Sequence, residues 1–366
     1  MTGYDVVVVG GRVAGASTAL LLARAGARVA LIDRSRPGSD VVSTHALMRA
    51  GVVQLSRWGL LDRVVAAGTP PIRSITFHYP HRPSARVTIR PSRGVPALYA
   101  PRRYLLDRIL AEAAAEAGAE VLYDTTVTGL RRDADGRIRG VRAIGRGGNP
   151  VELPAVVTVG ADGFRSTVAR QVGAPVVRQG RSRSSILYRY VTGLAADGYE
   201  WASRENAAAG LIPTNNGQTC LFVSTTPERM RPLRRIGAEH AFSRLLAQAA
   251  PALVDRTLDA APASRIYGWA GTPGYVRQSR GRGWALVGDA GYYKDPITTH
   301  DMTDALRDAD LVAGAIIKAL AGGTPKAVAL ARFERTRQSA LPNRSPAQGV
   351  YSRELANAGF VGSRRG

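Results

Sequence analysis

The stretch Tyr4-Asp-Val-Val-Val-Val-Gly-Gly-Arg-Val-Ala-Gly-Ala-Ser-Thr-Ala-Leu-Leu-Leu-Ala-Arg-Ala-Gly-Ala-Arg-Val-Ala-Leu-Ile-Asp33-Arg34 decides the fold. Val6 to Val9 are β-branched and apolar without alternation, the pattern of a parallel strand buried on both faces. Gly10 and Gly11 permit a tight turn, and Ala14 to Ala25 reads as a helix with Gly26 just past its end. Arg28 to Ile32 reads as a second buried strand, closed by Asp33. Together they make a βαβ unit with a dinucleotide fingerprint. Gly10 makes the turn, and Gly15 lets helix and strand pack closely. The helix N-terminus, from Gly11 through Arg12, Val13 and Ala14, offers amide hydrogens to a pyrophosphate, while Asp33, with Arg34 beside it, accepts from a ribose hydroxyl. One position departs from Gly-x-Gly-x-x-Gly. Its middle glycine is Arg12, which must either point away or supply its own charge to the phosphates.

At 366 residues the chain is long enough for one large α/β unit or two domains. Its 45% hydrophobic and 21% charged content is that of a soluble globular protein, and no apolar run approaches the ~20 residues of a membrane span. Met1 to Asp5 leads directly into the first strand, so no secretory signal is expected. Cys220 is the only cysteine, which excludes internal disulfides and cysteine-based metal sites and points to a cytoplasmic, reduced setting. The net charge is +22, with eight arginines and no acid between Asp62 and Asp107. Such a surface attracts anions: a nucleotide, an anionic substrate, or an acidic carrier protein bearing a tethered substrate. The arginines lack aromatic interleaving and no nucleic-acid motif accompanies them, so a nucleic-acid partner is not expected.

Two further buried strands end in short acidic turns. Ala155 to Val159 leads into Gly160-Ala-Asp162-Gly163-Phe-Arg-Ser, and Trp284 to Val287 leads into Gly288-Asp289-Ala-Gly-Tyr-Tyr293-Lys-Asp-Pro296. Pro101 opens a helix containing Arg103-x-x-Leu-Asp, and Ala305 to Leu320 carries an amphipathic helical pattern. Between Ser184 and Ile266 strand-like pieces (Ser185 to Tyr190, Thr219 to Ser224) alternate with turns such as Asn215-Asn216-Gly217, with one helix near Ala238 to Gln248.

With these three motifs in order, the chain resembles the FAD-dependent monooxygenases of the para-hydroxybenzoate hydroxylase type, a group that also contains geranylgeranyl reductases and flavin-dependent halogenases. The resemblance covers residues 4 to about 335. It implies an α/β fold, a Rossmann-like FAD-binding domain of the GR2 type with an inserted β-rich substrate domain. Residues 1–75, 95–182 and 275–338 are assigned to the first, 76–94 and 183–274 to the second, and 339–366 to a poorly ordered tail. The implied FAD contacts are the Gly10–Gly15 turn, Asp33, Arg34, Arg103, Val127, Asp162, Gly163, Gly288, Asp289, Pro296, Thr299, His300, Asp301 and Met302. Asp289 is expected to hold the ribityl chain, and His45, His300 and Tyr293 are the catalytic candidates near the flavin ring.

The implied activity is oxygenation of an aromatic or olefinic small molecule, with NAD(P)H as transient reductant and O2 activated as a flavin C4a-hydroperoxide. The rivals are a flavin reductase of isoprenoid double bonds and an accessory protein of the same fold with impaired redox activity. A halogenase is disfavoured because its Trp-x-Trp-x-Ile-Pro run is absent. The usual Pro-x-x-Gly-x-Gly here reads Pro296-Ile-Thr-Thr299-His300-Asp301, and an acid at the flavin edge opposes an anionic reduced flavin. Asp301 followed by Asp304 is read as a helix N-cap with a supporting acid. No His/acid cluster has metal spacing and no Ser/His/Asp arrangement reads as hydrolytic.

Overall fold

Val6, Val7 and Val8 are fully shielded from solvent in the strand Tyr4–Val9, because parallel strands flank it on both sides. Val29–Ile32 pairs on one side and Pro150–Gly160 on the other, with Val6 opposite both Val29 and Val157. This computed structural model describes residues 3–43, 45–180, 183–204, 206–296 and 299–341. The main strand order is Arg280–Gly281, Trp284–Leu286, Pro150–Gly160, Tyr4–Val9, Val29–Ile32 and Glu120–Leu122, with two further strands branching from Pro150–Gly160. The chain leaves Tyr4–Val9 in one direction and later returns on its other side. That reversal opens a crevice beyond the carboxyl ends of the strands, where open α/β sheets bind ligands.

The helix Val13–Arg24 is buried along almost its whole length, between the sheet and the helices Arg103–Glu116 and Asp301–Leu320. Small residues make this possible. A Cβ on Gly15 would lie 1.7 Å from the Gly10 carbonyl oxygen, so helix and strand could not approach as they do. The opposite face is covered by an antiparallel meander, Thr126–Arg132, Ile138–Ile144 and Pro150–Gly160.

A second sheet has the order Ala261–Pro262, Ser185–Thr192, Thr219–Thr225, Ala207–Pro213, Tyr199–Arg204, Ser74–His78 and Ala85–Thr88, and Tyr267–Trp269 also pairs with Ser185–Thr192. Its strands alternate by residue. Leu187, Val191, Leu221 and Val223 pack under the helix Ala238–Ala249, whereas Tyr188, Tyr190, Cys220 and Phe222 line an aromatic face on the other side. Asn216 (φ 61°) and Gly217 (φ 64°) both adopt the left-handed conformation in the turn joining Ala207–Pro213 to Thr219–Thr225.

Sequence patterns miss several elements. Ala207–Pro213 begins with three alanines, a helical preference overridden by burial at the centre of the sheet. Pro227–Ile236 is a helix that begins with proline and contains Pro232. Lys326–Ser339 forms a final helix from a polar segment; Ser339 closes it and Leu341 is buried, while 342–366 lie outside the described residues.

Candidate active site

Gly10 ends the first strand at the reversal point. A Cβ there would meet the Ala161 carbonyl oxygen at 2.4 Å, so only glycine lets the two strand ends close the crevice floor. The Asp33 carboxylate, 8% exposed, accepts hydrogen bonds from the amides of Gly11 at 2.6 Å and Ser35 at 2.7 Å. These charge-assisted bonds fix its orientation at the end of the second strand. Arg34 beside it is exposed.

Arg12 occupies the N-cap of the first helix without capping it. Its guanidinium folds across the turn, with Nη1 3.6 Å from Asp107 and Nη2 3.3 Å from the Ser35 hydroxyl. Asp107 is also gripped by Arg103, one helical turn earlier, at 3.1–3.2 Å. Burial pushes the Asp107 carboxyl up, against the opposing pull of Arg103 and then Arg12.

Gly288 (φ 55°) opens the third acidic turn and abuts the first helix, where an added Cβ would lie 2.9 Å from the Ala14 methyl group. Its amide donates to Asp308 at 3.2 Å. The neighbouring Asp289 is half-buried. Removal from water pushes its carboxyl up to about 6, with Arg103 opposing and Asp308 and Asp304 adding to the rise. Arg103 therefore faces both Asp107 and Asp289.

Beneath this turn lies a buried arginine that no sequence pattern singles out. Arg337, 0% exposed, donates to the carbonyls of Leu286 and Gly291, each at 3.2 Å, and to Ser279 Oγ at 2.5 Å, and it lies 3.6 Å from Asp308.

Asp301 is the first residue of the helix Asp301–Leu320, and His300 precedes it as an N-cap without a side-chain cap bond, which corrects the expected Asp301 cap. Burial, with Asp289 adding and Lys294 opposing, raises the Asp301 carboxyl well above the usual carboxylate range. Asp304 is instead held by Lys294 at 2.6 Å and Arg307 at 2.9 Å. Met302 is buried in the core against the first helix.

Thr299 stands at φ 56°, where the expected pattern has glycine. A β-branched residue there is strained by about 1–2 kcal/mol. Thr299→Gly is expected to raise the unfolding free energy by about 1 kcal/mol, measured in urea, since part of the relief is offset by glycine's chain entropy.

Other candidates divide. The Asp162 carboxylate accepts from Ser166 Oγ at 2.6 Å and from the amides of Thr167 and Val168, so both oxygens serve the start of the short helix Thr167–Gln171. Gly163 takes φ 79°, and Val127 lies half-buried in the meander. Tyr293 is buried among Phe164, Trp269 and Tyr275. Pro296 and His300 are half-buried, and both precede the long helix. Cys220 is fully buried, and burial pushes its thiol far up, which leaves it inert.

His45 is the candidate that joins the two sheets. It is 1% exposed and sits at φ 63°, with Nε2 hydrogen-bonded to the Tyr190 hydroxyl and the ring stacked on Tyr190. Burial, reinforced by Arg102 and Arg103, holds the imidazole well below its usual pKa, hence neutral; Nδ1 has no hydrogen-bond partner among the described residues. Arg102, paired with Asp40 at 2.6 Å, lies 3.6 Å over the Tyr190 ring, and the Ser43 amide donates to the Tyr188 hydroxyl at 3.1 Å.

This arrangement suits an elongated dinucleotide. Glycines clear its floor, Arg12 Nη1 is buried without a hydrogen-bond acceptor, and Asp33 and Asp289 stand at two strand ends of the same crevice. A profile described as "FAD binding domain" matches residues 3–341. The chain belongs to this FAD-binding family. The flavoprotein is 26% identical over 355 residues to a digeranylgeranylglycerophospholipid reductase of Methanothrix thermoacetophila, covering 90% of this chain and 82% of that one. It is 29% identical over 251 residues to the aklavinone 12-hydroxylase DnrF of Streptomyces peucetius, covering 62% of this chain and 50% of that one. The structure of PqsL, a probable FAD-dependent monooxygenase from Pseudomonas aeruginosa, superposes with a TM-score of 0.78 at 23% identity, over 98% of this chain and 96% of that one. The protein is thus an FAD-dependent oxidoreductase, with FAD as its cofactor. Among the described residues no group of His, Cys, Asp and Glu is placed to hold a metal ion, and no helix is long and apolar enough to cross a membrane.

Proposed function

We propose that this flavoprotein is a single-component monooxygenase that takes electrons from NAD(P)H and transfers one oxygen atom from O2 to an aromatic or olefinic small molecule. The observation carrying this reading is the junction at His45. A buried neutral imidazole with an unpartnered Nδ1 stands where the dinucleotide-binding unit meets the aromatic face bearing Tyr188, Tyr190 and Tyr267. Bound flavin would supply the redox and oxygen chemistry. The protein's part is to orient a flat substrate against the tyrosines, exclude water and hold a proton. Nδ1 of His45 can accept it from an activated hydroxyl group of the substrate in the tautomer whose proton sits on Nε2 and is donated to the Tyr190 hydroxyl oxygen. The second sheet is accordingly read as the substrate-binding part. PqsL, of like fold, has been crystallised with 2-aminobenzoylacetate, a small aromatic compound.

Purified protein is expected to be yellow, to be bleached by NAD(P)H without oxygen, and to place one atom of isotopically labelled dioxygen in the product of an accepted aromatic substrate. A protein that takes up no FAD would sink the reading at its root. The longer coverage of the geranylgeranyl-type reductases favours one alternative, reduction of an isoprenoid double bond. Product formed in the absence of oxygen would decide for it.

A further inference from the structure

Two guanidinium groups share one buried carboxylate at the mouth of the fingerprint turn. Arg103 contacts Asp107 at 3.1–3.2 Å and Arg12 approaches it at 3.6 Å, so the trio carries one surplus positive charge. The carboxylates of Asp33 and Asp289 share this field, but among the described residues neither forms an ion pair with Arg12: the Asp33 oxygens accept from the amides of Gly11 and Ser35. The Arg12 cation stands at the N-terminus of the twelve-residue helix Val13–Arg24, whose first amides are also positive. Arg12 Nη1 is buried and has no hydrogen-bond acceptor among the described residues, Asp107 lying 3.6 Å from it. An orphaned guanidinium N–H is costly, and a ligand oxygen would satisfy it.

The fingerprint's second glycine ordinarily leaves room for a phosphate to approach the backbone. At position 12 that room is taken by an arginine Cβ, so the phosphate must be met differently. We propose that Asp107 is a positioning residue that holds Arg12 over the turn as the cation receiving the cofactor's pyrophosphate. In this site a side-chain charge replaces close backbone approach, and Arg103 shares the same carboxylate from the neighbouring helix. Asp107 itself touches no cofactor atom; it acts through the two arginines. This inference rests on the FAD-binding assignment and concerns how the diphosphate is held.

The test is titration of FAD into apoprotein, followed by flavin fluorescence, at several salt concentrations. Wild-type binding is the control. If wild-type protein binds no FAD, the family assignment fails, independently of this proposal. Arg12→Met is expected to weaken FAD binding about 10- to 100-fold and to flatten its salt dependence, because one charge contact is lost. Arg12→Lys is expected to regain part of the affinity and most of the salt dependence. Asp107→Asn is expected to weaken FAD binding about as much as Arg12→Met, and the double variant to be little worse than either single one, since both remove the same contact. FAD affinity unchanged in Arg12→Met, strictly additive losses, or an unaltered salt dependence would each overturn the proposal. Should Asp107→Asn fail to fold, the Arg12→Met and Arg12→Lys pair with its salt dependence still decides.

Discussion

Replacing Arg337 by methionine is expected to lower the unfolding free energy by about 3–5 kcal/mol and to weaken FAD retention, although the residue lies outside the nucleotide fingerprint. Arg337 is fully buried and spans four groups: the Leu286 and Gly291 carbonyls, Ser279 Oγ and the Asp308 carboxylate. Methionine fills similar space but removes a donor from the Leu286 and Gly291 carbonyls, the second of which keeps the Arg277 amide, and leaves the buried Asp308 with Arg307, 3.5 Å away, as its remaining cation among the described residues. Asp308 in turn accepts from the Gly288 amide, so the turn that presents Asp289 loses its support. The sign with pH follows. In wild type, burial raises the Asp308 carboxyl and Arg337 opposes that rise. Without the arginine the carboxyl rises further, so the destabilisation grows as pH climbs above the ordinary carboxylate range and shrinks in acid. Pairing Arg337→Met with Asp308→Asn is expected to recover part of the loss, because an amide carries no charge to strand. Urea unfolding at pH 5 and pH 8 measures both effects. A loss under about 1 kcal/mol would show the bridge to be incidental.

How much of this was legible in the sequence depends on whether a residue's role is local. Gly10 and Gly15 announce themselves because only glycine permits contacts as close as 2.4 and 1.7 Å, and the buried strands beside them are unbroken apolar runs. The acidic turns at Asp162 and Asp289 are legible the same way, from strand ends. Their chemistry was not equally visible: Asp162 commits its carboxylate to a helix start, whereas Asp289 is left facing Arg103 and other acids. Arg337 could not be found, since an arginine in a polar C-terminal segment looks like any solvated one until the helix Lys326–Ser339 is packed. Ala207–Pro213 failed for the reverse reason, local preference pointing to helix while strands on both sides demanded a ladder. The Arg12–Asp107 link lay between. Asp107 follows Arg103 at helical spacing, a visible i,i+4 pair, but its approach to Arg12 requires two elements about 90 residues apart to meet.

Asp289→Asn is expected to move apoprotein stability and cofactor affinity in opposite directions. In the folded apoprotein the carboxyl titrates at about 6, against an ordinary 3.8, chiefly because it is withdrawn from water. A raised carboxyl means that folding favours the protonated form. The group imposes no penalty below about pH 4, an increasing one between pH 4 and 6, and a constant one above. Arg103 already opposes the shift, so the remaining penalty at pH 7.5 is on the order of 1–3 kcal/mol. Asparagine has no charge to desolvate. The variant apoprotein is therefore expected to melt higher than wild type at pH 7.5, and the advantage should vanish near pH 4. FAD binding should fall about 10- to 100-fold, because a carboxylate proposed to accept from ribityl hydroxyls is replaced by a weaker neutral acceptor. Thermal unfolding of apoprotein at the two pH values, with FAD titration beside it, reads both arms. Should the variant melt lower than wild type at pH 7.5, the carboxylate would be supporting the fold. A higher melting temperature combined with weaker FAD binding is the signature of an acid kept strained for its ligand, since a residue serving only the fold would lose both together.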